Sequence, residues 1–483
     1  MENKQAKMSN YRWMIVTMLF FATTINYLDR QVLSLTWADF IAPEFHWTNN
    51  DYGTITGLFS IFYAVFMLFA GKFVDWMDTK KGYLWSIGIW SLGAVLHAFC
   101  GIFTSGILTG SWIFNFAGAK DAIAAVNDVS KIVTVSVSLF IFARFVLALG
   151  EAGNFPAAIK STAEFFPKKD RAFATSIFNS GAQIGALLAP VTIPFIAKSW
   201  GWEMAFLIIG ALGFIWMGFW VFVYHKPEVH PKVNKLELTY IQQDDELEAT
   251  AESNRNSSLT KKNVPFSKAF KYKQTWAFAV GKFMTDGVWW FYLFWAPAYL
   301  KQVYGLSSTQ SAPHIFILYL ITMISIAGGW LPTYFVDKKK MNPYEGRMRA
   351  MLIFAFFPLL ALLAQPLGHI SVWIPVVIIG IAGAAHQAWS ANIFSTIGDM
   401  FPKYAVATIT GIGGMAGGIG SFLINKGSGA LFDYSQNTGM KLLGFQGIES
   451  GYFIIFCICA VAYLIGWSIM KLLVPKYQLI NNM

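Results

Sequence analysis

Residues 13–35 read WMIVTMLFFATTINYLDRQVLSL, an apolar run that is long enough to cross a lipid bilayer as one α-helix. Most of this run carries no charge, but Asp29 and Arg30 stand side by side in its last third. A charged side chain at membrane depth costs about 2.5–3.5 kcal/mol on insertion scales, so such residues usually face a cavity, a partner or a substrate. The alternative is that both side chains lie at the helix end and reach the headgroup layer.

A second apolar run, residues 133–156, repeats this combination of a base and an acid. Arg144 and Glu151 are seven residues apart, which places them on one face of a helix, about 10 Å apart along its axis. Because this is too far for a direct ion pair, each needs another partner, and Asp29 and Arg30 are the candidates. Two such pairs in one half of the chain indicate a polar site within the membrane. The alternative is an ion-pair network that only holds helices together.

The composition is typical of a helical membrane protein with many spans. Of the 483 residues, 55% are hydrophobic and 13% are charged, whereas soluble domains have about 25% charged residues. The first apolar run is too long for a cleavable signal peptide, and no small-residue cleavage site follows it. Cys100, Cys457 and Cys459 lie in apolar runs without the spacing of metal ligands. We therefore expect neither a metal site nor a disulfide framework.

The apolar runs predict twelve membrane-spanning helices. Of the 36 Lys and Arg residues, 27 lie on the side of the N-terminus, six lie on the other side and three lie within spans. The positive-inside rule therefore places both termini in the cytoplasm. The net charge of +10 reflects this topology rather than a nucleic-acid partner. The predicted spans are residues 13–36, 52–73, 83–105, 133–156, 170–196, 203–224, 275–300, 312–336, 348–366, 372–397, 404–431 and 451–472.

An internal repeat divides the chain into two halves. The segment EFFPK at 164–168 recurs as DMFPK at 399–403, an offset of 235 residues, and the same offset aligns Thr175 with Thr410. This predicts an all-α membrane protein of two six-helix bundles, as in transporters that alternate access around a site at mid-membrane. The alternative is coincidence between two loops of similar composition. The predicted divisions are an N-terminal bundle at 1–224, a cytoplasmic linker at 225–273 and a C-terminal bundle at 274–483.

Two connections are longer than the others. The linker is expected to hold a surface helix near Leu236–Glu248 and a disordered stretch at 253–263, rich in Ser, Asn and Lys. The segment 106–132 is a long connection on the outward side, and the sequence assigns it no function.

The second half is polar in a different way. Lys282 and Asp286 are four residues apart and are expected to pair, either along a transport pathway or as an internal clamp. The aromatic run VWWFYLFWAP at 288–297 contains Tyr292 and Trp295. Such rings usually pack against each other or form an interfacial belt, but they can also stack on a sugar ring and bind its hydroxyl groups.

One further stretch of the second half, residues 386–392, crowds polar and amphipathic groups on a single predicted span. A lone histidine here would be a satisfied core residue, but its polar neighbours favour a hydroxyl-rich ligand. The candidate binding residues of this stretch are His386, Gln387, Trp389, Ser390 and Asn392. The glycine-rich segment 411–420 predicts close helix packing rather than a phosphate-binding loop, which would need a preceding strand.

The segment Gly71-Lys72-Phe73-Val74-Asp75, followed by Lys80 and Lys81, resembles the loop between spans two and three of the major facilitator superfamily. The pattern departs at Trp76, where a basic residue is usual, and residues 329–339 form a weaker second copy. Three further segments resemble the anion:cation symporter family and are most similar to bacterial hexuronate transporters. They are residues 26–30, residues 144–156 and residues 282–295.

This resemblance implies proton symport of a sugar acid through its carboxylate. The acids at Asp29 and Glu151 would carry protons, Arg30 would take the substrate carboxylate, and Arg144 would hold the acids or attract the anion. The resemblance also places three further side chains where they can contact a carboxylate or hydroxyl group. They are Tyr27, Tyr63 and Gln183.

We therefore predict a multi-pass protein of the bacterial inner membrane that imports a hexuronate such as glucuronate or galacturonate with protons. Galactonate, glucarate and sialate are alternative substrates, and sodium is the alternative coupling ion. We expect no cofactor, no metal, no nucleic-acid partner and no enzymatic activity, and a monomer is sufficient. A membrane-embedded enzyme and a non-transporting sensor are the alternatives from other functional classes.

Overall fold

The computed structural model describes residues 7–243 and 265–480, and these residues are almost all helical. The helices of the first half are α1 (Arg12–Thr36), α2 (Ala42–Phe45), α3 (Asn49–Met77), α4 (Thr79–Thr109), α5 (Phe116–Ala124), α6 (Val129–Glu151), α7 (Asn154–Phe165), α8 (Lys168–Trp200) and α9 (Trp202–Val223). A π-helical turn, Trp37–Ile41, joins α1 to α2. Between the halves lie a 3₁₀ turn (Pro227–Val229), α10 (Lys235–Ile241) and α11 (Phe266–Ala269).

The second half repeats this architecture. Its helices are α12 (Lys273–Tyr304), α13 (Ser308–Thr322), α14 (Ala327–Asp337), α15 (Pro343–Phe356), α16 (Ala364–Gly368), α17 (Trp373–Met400), α18 (Lys403–Asn437) and α19 (Ile448–Leu473). Two 3₁₀ segments, Met323–Ile326 and Phe357–Leu363, continue the helices before them. An antiparallel hairpin of β1 (Lys441–Leu442) and β2 (Phe445–Gln446) pairs Lys441 with Gln446 ahead of α19.

Within the described residues, nine helical stretches are long and apolar enough to cross a membrane. The other three predicted spans correspond to α1, α12 and α18, which are equally long and pack inside the bundle. α1 and α12 carry buried charged side chains, and α18 is rich in glycine, so their low hydropathy reflects an interior position rather than exposure to water. The predicted fold of twelve membrane helices in two six-helix bundles is confirmed. The proposed division at residues 224 and 274 stays a prediction.

The linker helix α10 holds the start of α1. Glu237 of α10 accepts hydrogen bonds from the backbone amides of Tyr11 (2.8 Å) and Arg12 (3.0 Å) and from Nη1 of Arg12 (3.1 Å). Burial alone would raise the pKa of Glu237, but the hydrogen bonds from Arg12, Ser9 and Tyr11 hold it below its ordinary value. The predicted surface helix near Leu236–Glu248 thus exists as α10. Its positions after 243 and the stretch 253–263 lie outside the described residues.

The end of the bundle that carries α10, the start of α1 and residues 474–480 is called the terminal face below, and the other end the opposite face. The insertion at 106–132 lies at the opposite face, where α5 packs against α4 and α2. At the terminal face the internal repeat is visible as two equivalent acids. Glu164 accepts from the hydroxyl groups of Thr79 and Tyr224, and Asp399, 235 residues later, accepts from Nε of Arg347 at 2.7 Å.

The opposite face is closed by two carboxylates that cap helices of the other half. Asp433 of α18 accepts from the backbone amides of Asn49 (3.0 Å) and Asn50 (2.7 Å), the first residues of α3. Asp39 accepts from the backbone amide and hydroxyl of Ser308, the first residue of α13. Helix N-termini carry free N–H groups and partial positive charge, so they favour these anions. Each half therefore supplies an acid to a helix start of its partner.

Further contacts between the halves reinforce this closure. Lys301 of α12 forms an ion pair with Asp39. Burial alone would raise the pKa of Asp39, but the hydrogen bonds from Lys301 and Ser308 hold it below its ordinary value. Deeper in the bundle, Tyr52 donates to the carbonyl of Phe294 at 2.8 Å. The interior of the bundle is thus closed toward the opposite face.

We expect the change Asp433→Asn to open the opposite face more often, because a charge at a helix terminus contributes about 1 kcal/mol. The measurement is the rate at which a cysteine introduced by Ser60→Cys is labelled. This residue lies on the inner side of the closure, and the three native cysteines are replaced by serine. A membrane-impermeant maleimide added to intact cells should react about fivefold faster, as 1 kcal/mol implies. The control is Asp128→Asn, because Asp128 pairs with Lys131 of its own half and does not join the two halves. An unchanged rate in Asp433→Asn would show that the cap does not hold the closed state.

Candidate functional site

A cavity of about 550 Å³ lies between the two halves. Its wall from the first half includes Tyr27, Arg30 and Tyr63. Thr175 near the start of α8 and Thr410 near the start of α18 also line it, and both helices start at the terminal face. The cavity therefore extends from mid-bundle toward the terminal face. Its volume lies in the range of small-molecule sites, about 300–1,000 Å³.

The charged group that the first half places on the cavity wall is the guanidinium of Arg30, which is 4% exposed. Its Nε (3.0 Å) and Nη2 (2.6 Å) both donate to Oε2 of Glu151, which is 0% exposed. Aromatic rings of Tyr27, Tyr63 and Trp290 surround the guanidinium, with centroids 5.0, 4.8 and 5.2 Å from its carbon. These rings favour a cation, so the ion pair lies in an aromatic pocket that borders the cavity.

Behind this wall lie the other two charged residues of the predicted polar site. Asp29 and Arg144 are each 1% exposed, and neither is part of the cavity wall. No described residue donates a hydrogen bond to the Asp29 carboxylate or accepts one from the guanidinium of Arg144. The guanidinium lies over the ring of Phe59, 5.0 Å from its centroid. Burial of a charged group without a hydrogen-bond partner is costly. Asp29 and Arg144 would therefore gain from a new partner, such as Glu151 or Arg30 after a rearrangement of the site.

The second half places one compact ion pair on the cavity wall. Nζ of Lys282 lies 2.7 Å from the carboxylate of Asp286, and both residues border the cavity. Nζ also lies 4.3 Å from the ring centroid of Phe394. A methyl group at Gly417 of α18 would overlap the Asp286 carboxylate, so the absence of a side chain there makes room for the pair. The predicted pair is present, and it lines the cavity.

The glycines of α18 allow the same close approach elsewhere. A side chain at Gly413 would overlap the ring of Phe278, and one at Gly420 would overlap the backbone of Phe283. The prediction that this segment serves close helix packing is confirmed at these positions.

Three polar residues of α17 also line the cavity, namely His386, Gln387 and Ser390. Nδ1 of His386 lies 2.8 Å from the hydroxyl of Tyr463, and its ring stacks on Trp289 at 5.4 Å. The histidine is thus held by its neighbours, whereas Gln387 and Ser390 offer hydrogen-bonding groups to the cavity. This wall suits a ligand with hydroxyl groups.

Several predicted substrate residues lie away from the cavity wall, so the structure does not bring them together with Arg30. Trp295 donates to Asn425 at 3.0 Å near the opposite face, and Asn392 donates to the carbonyls of Gly328 and Ala388. The remaining four are Gln183, which accepts from Thr322 at 3.4 Å, Tyr292, which lies against Cys459, Trp389, which packs edge-on against Tyr463, and Arg144, which lies behind the wall. Their assignment as substrate contacts stays a prediction.

Some wall residues were not predicted individually from the sequence. Among them are Asn179 on α8, and Trp289 and Trp290, which lie in the predicted aromatic run 288–297. The internal repeat could have predicted some of these wall residues. Several wall residues occur in pairs at the offset of 235, since equivalent positions of two related bundles face the same central space. These pairs are Phe155 and Ser390, Ile159 and Phe394, Thr175 and Thr410, and Asn179 and Gly414.

Comparisons with known proteins agree with this arrangement. The family model described as Major Facilitator Superfamily matches residues 19–424. A hexuronate transporter of Escherichia coli (strain K12) is 27% identical over 432 residues, which cover 88% of this chain and 89% of that protein. A galacturonate transporter of Dickeya chrysanthemi is 26% identical over 337 residues, 70% of this chain and 86% of that protein. The resemblance drawn from the sequence is confirmed.

The fold is also similar to solved structures. One is a bacterial homolog of the human lysosomal transporter Spinster in an inward-facing, unoccupied conformation. It matches with a TM-score of 0.67 and 17% identity, over 96% of this chain and 97% of that one.

We expect Asp286→Asn to destabilise the protein strongly, because breaking a buried ion pair costs about 3–5 kcal/mol. The double variant Lys282→Met with Asp286→Leu should regain most of the stability, since it leaves no unpaired charge. Thermal unfolding of the purified protein measures both effects. Because both residues line the cavity, the double variant should still transport poorly.

The matched control is Asp128→Asn, which breaks the exposed pair with Lys131 and should change stability little. Full transport by a stable double variant would instead identify the Lys282–Asp286 pair as an internal clamp.

Proposed function

Because the chain belongs to the Major Facilitator Superfamily, we propose that it is a secondary transporter that imports a sugar acid together with protons by alternating access. The proposed substrate is a hexuronate, which carries one carboxylate and several hydroxyl groups. The names of the relatives, a hexuronate and a galacturonate transporter, support this substrate class. They also favour transport over the alternatives of a membrane-embedded enzyme or a sensor. Galactonate, glucarate and sialate are the alternative substrates.

The observation that carries the proposal is the guanidinium of Arg30 on the wall of a central cavity. A guanidinium presents a planar fork that matches a carboxylate in two parallel hydrogen bonds. Here the fork is directed at a single oxygen of Glu151, so an internal carboxylate occupies the position that a substrate carboxylate would take. Arg30 therefore binds the acid group of the substrate.

The other end of the substrate faces the second half. Gln387 and Ser390 supply amide and hydroxyl groups, and the rings of Trp289 and Trp290 supply apolar faces. Aromatic faces pack against the C–H faces of a sugar, and the polar groups bind its hydroxyls. The acid end of the ligand thus points to the first half, and the hydroxyl end points to the second.

Proton coupling follows from the competition for Arg30. When the substrate carboxylate takes the guanidinium, Glu151 loses its only hydrogen-bond partner among the described residues. A buried carboxylate without a partner is unstable as an anion, so it takes up a proton. When the substrate leaves, Arg30 returns to Glu151 and the proton is released. Asp29 provides a second acid close to the same charges.

The orientation follows from the positive charges. The terminal face carries most of the Lys and Arg residues, so we place it in the cytoplasm of the bacterial inner membrane. The cavity that extends to this face is then the inward-facing state. Protons rather than sodium are the proposed coupling ion, no cofactor takes part, and a monomer suffices.

We expect Arg30→Ala to raise the half-saturation concentration for glucuronate or galacturonate by about 30-fold or more, because truncating one member of a buried charged pair costs about 2–5 kcal/mol. Arg30→Lys should be intermediate, since it keeps the charge but not the fork. Uptake into proteoliposomes, with galactonate, sialate and glucose as competitors at two pH values, is the measurement.

Arg347→Ala, at the terminal-face pair with Asp399, is the control and should leave half-saturation unchanged. An unchanged value in Arg30→Ala, or competition by neutral glucose equal to that of the acids, would contradict the carboxylate assignment.

We expect Glu151→Gln to abolish uptake driven by a pH gradient and to keep exchange of labelled for unlabelled substrate, because glutamine cannot carry the proton. Glu203→Gln is the control, a buried acid at the opposite face outside the cavity, and both activities should persist. The two assays use the same proteoliposomes with and without a gradient. Gradient-driven uptake by Glu151→Gln at the normal rate would move proton coupling to another acid.

A further inference from the structure

A second large cavity lies at the terminal face, between the start of α12 and the end of α19, with a volume of about 900 Å³. One side of this groove is basic and consists of Lys271, Lys273 and Lys476. The other side is apolar and includes Leu473 and Ile480. A groove with one basic and one apolar side suits an anionic amphiphile.

The basic side offers unused binding groups. Lys271, Lys273 and Lys476 line the groove and form no ion pair with any residue that the structure describes. The N-terminus of α12 opens into the same groove, and no side chain caps it. Its first N–H groups and its partial positive charge therefore add to the three ammonium groups.

The side-chain amide of Gln274 adds a further hydrogen-bonding group to the groove wall. Gln274 is 7% exposed and lines the groove, yet its side chain forms no hydrogen bond with any described residue. The free amide can donate to an oxygen of a molecule held in the groove.

The apolar side is fixed in place by the C-terminal tail. The hydroxyl of Tyr344 donates to the carbonyl of Val474 at 2.8 Å, and the amide of Ile480 donates to the carbonyl of Met400 at 2.9 Å. Between these two attachments, the hydroxyl of Tyr477 donates to the carbonyl of Asp399 at 3.1 Å. The tail is thus held at three points, and the groove it forms is a built feature of the fold.

We propose that this groove binds the phosphate headgroup of an anionic glycerophospholipid. The phosphate lies against the three lysines, the start of α12 and the amide of Gln274, as basic pockets between helices on the cytoplasmic side hold lipid headgroups. The acyl chains leave over the apolar rim, where Leu479, which lines the groove, is 54% exposed. This rim distinguishes a lipid from free phosphate, which would gain nothing from it.

The site has a direct connection to the central cavity. α12 runs without interruption from Lys273 in the groove to Lys282 and Asp286 on the cavity wall. A lipid that holds the first turn of α12 therefore holds the helix that positions this ion pair. The site itself does not depend on which substrate is transported.

The experiment measures binding of phosphatidylglycerol to the full-length purified protein. Nanodiscs of phosphatidylcholine with increasing fractions of phosphatidylglycerol are compared by thermal unfolding and by native mass spectrometry of retained lipid. The test variant carries Lys271→Gln, Lys273→Gln and Lys476→Gln. Each lysine contributes about 1 kcal/mol to anionic lipid binding, or about fivefold, so affinity should fall about 100-fold. Gln274→Ala should weaken binding with all three charges still present.

The charge-matched control carries Lys338→Gln, Lys339→Gln and Lys340→Gln, on exposed lysines of the terminal face that do not line the groove. It should bind phosphatidylglycerol as the unaltered protein does. Equal loss in both triple variants would overturn the proposal in favour of general surface charge. Equal stabilisation by inorganic phosphate and by phosphatidylglycerol would identify an ion site rather than a lipid site. Thermal unfolding of the test variant in neutral detergent is the folding control. An unchanged unfolding temperature shows that a loss of phosphatidylglycerol binding does not come from misfolding.

Discussion

The contact between Arg30 and Glu151 is the interaction on which the rest of the site depends. Both side chains are almost completely buried, and two nitrogens of the guanidinium share one carboxylate oxygen. Neither charge is stable alone at this depth, because an unpaired buried ion carries a desolvation penalty of several kcal/mol. An anion is the kind of group that can replace Glu151 at this guanidinium, and the displaced acid would lose its hydrogen-bond partner among the described residues. In the mechanism proposed above, this ion pair is what links the binding of an anion to the binding of a proton.

The two halves contribute different chemistry to the cavity, although they derive from one repeat. The position of Glu151 in the first half corresponds to His386 in the second, at the offset of 235 residues. Glu151 holds the arginine on the cavity wall, whereas His386 is held between Tyr463 and Trp289. On the cavity wall, the first half presents the Arg30 guanidinium, and the second half presents hydrogen-bonding groups beside the Lys282–Asp286 ion pair. A ligand with an acid end and a hydroxyl end has one preferred orientation in such a cavity.

Closure at the opposite face uses weaker interactions than the site does. The caps by Asp39 and Asp433 join carboxylates to helix starts, and each helix start already has its own capping box, Thr48 with Asp51 and Ser307 with Gln310. Loss of a cap therefore leaves the helix N-terminus partly satisfied. Such contacts can be broken and remade at small cost, which a transporter that alternates between two open states requires.

The sequence by itself determined the number of spans, the two halves, the pairing of Lys282 with Asp286 and the burial of charge on α1 and α6. These features follow from hydropathy and spacing, which act along one helix. Only the tertiary structure decided that Arg30 pairs with Glu151, that Asp29 and Arg144 lie behind the wall, and that polar residues such as Asn392 support helices away from the cavity. A helix has several faces, and the one that meets the central space depends on how its neighbours pack around it. Spacing along a single helix does not contain that information.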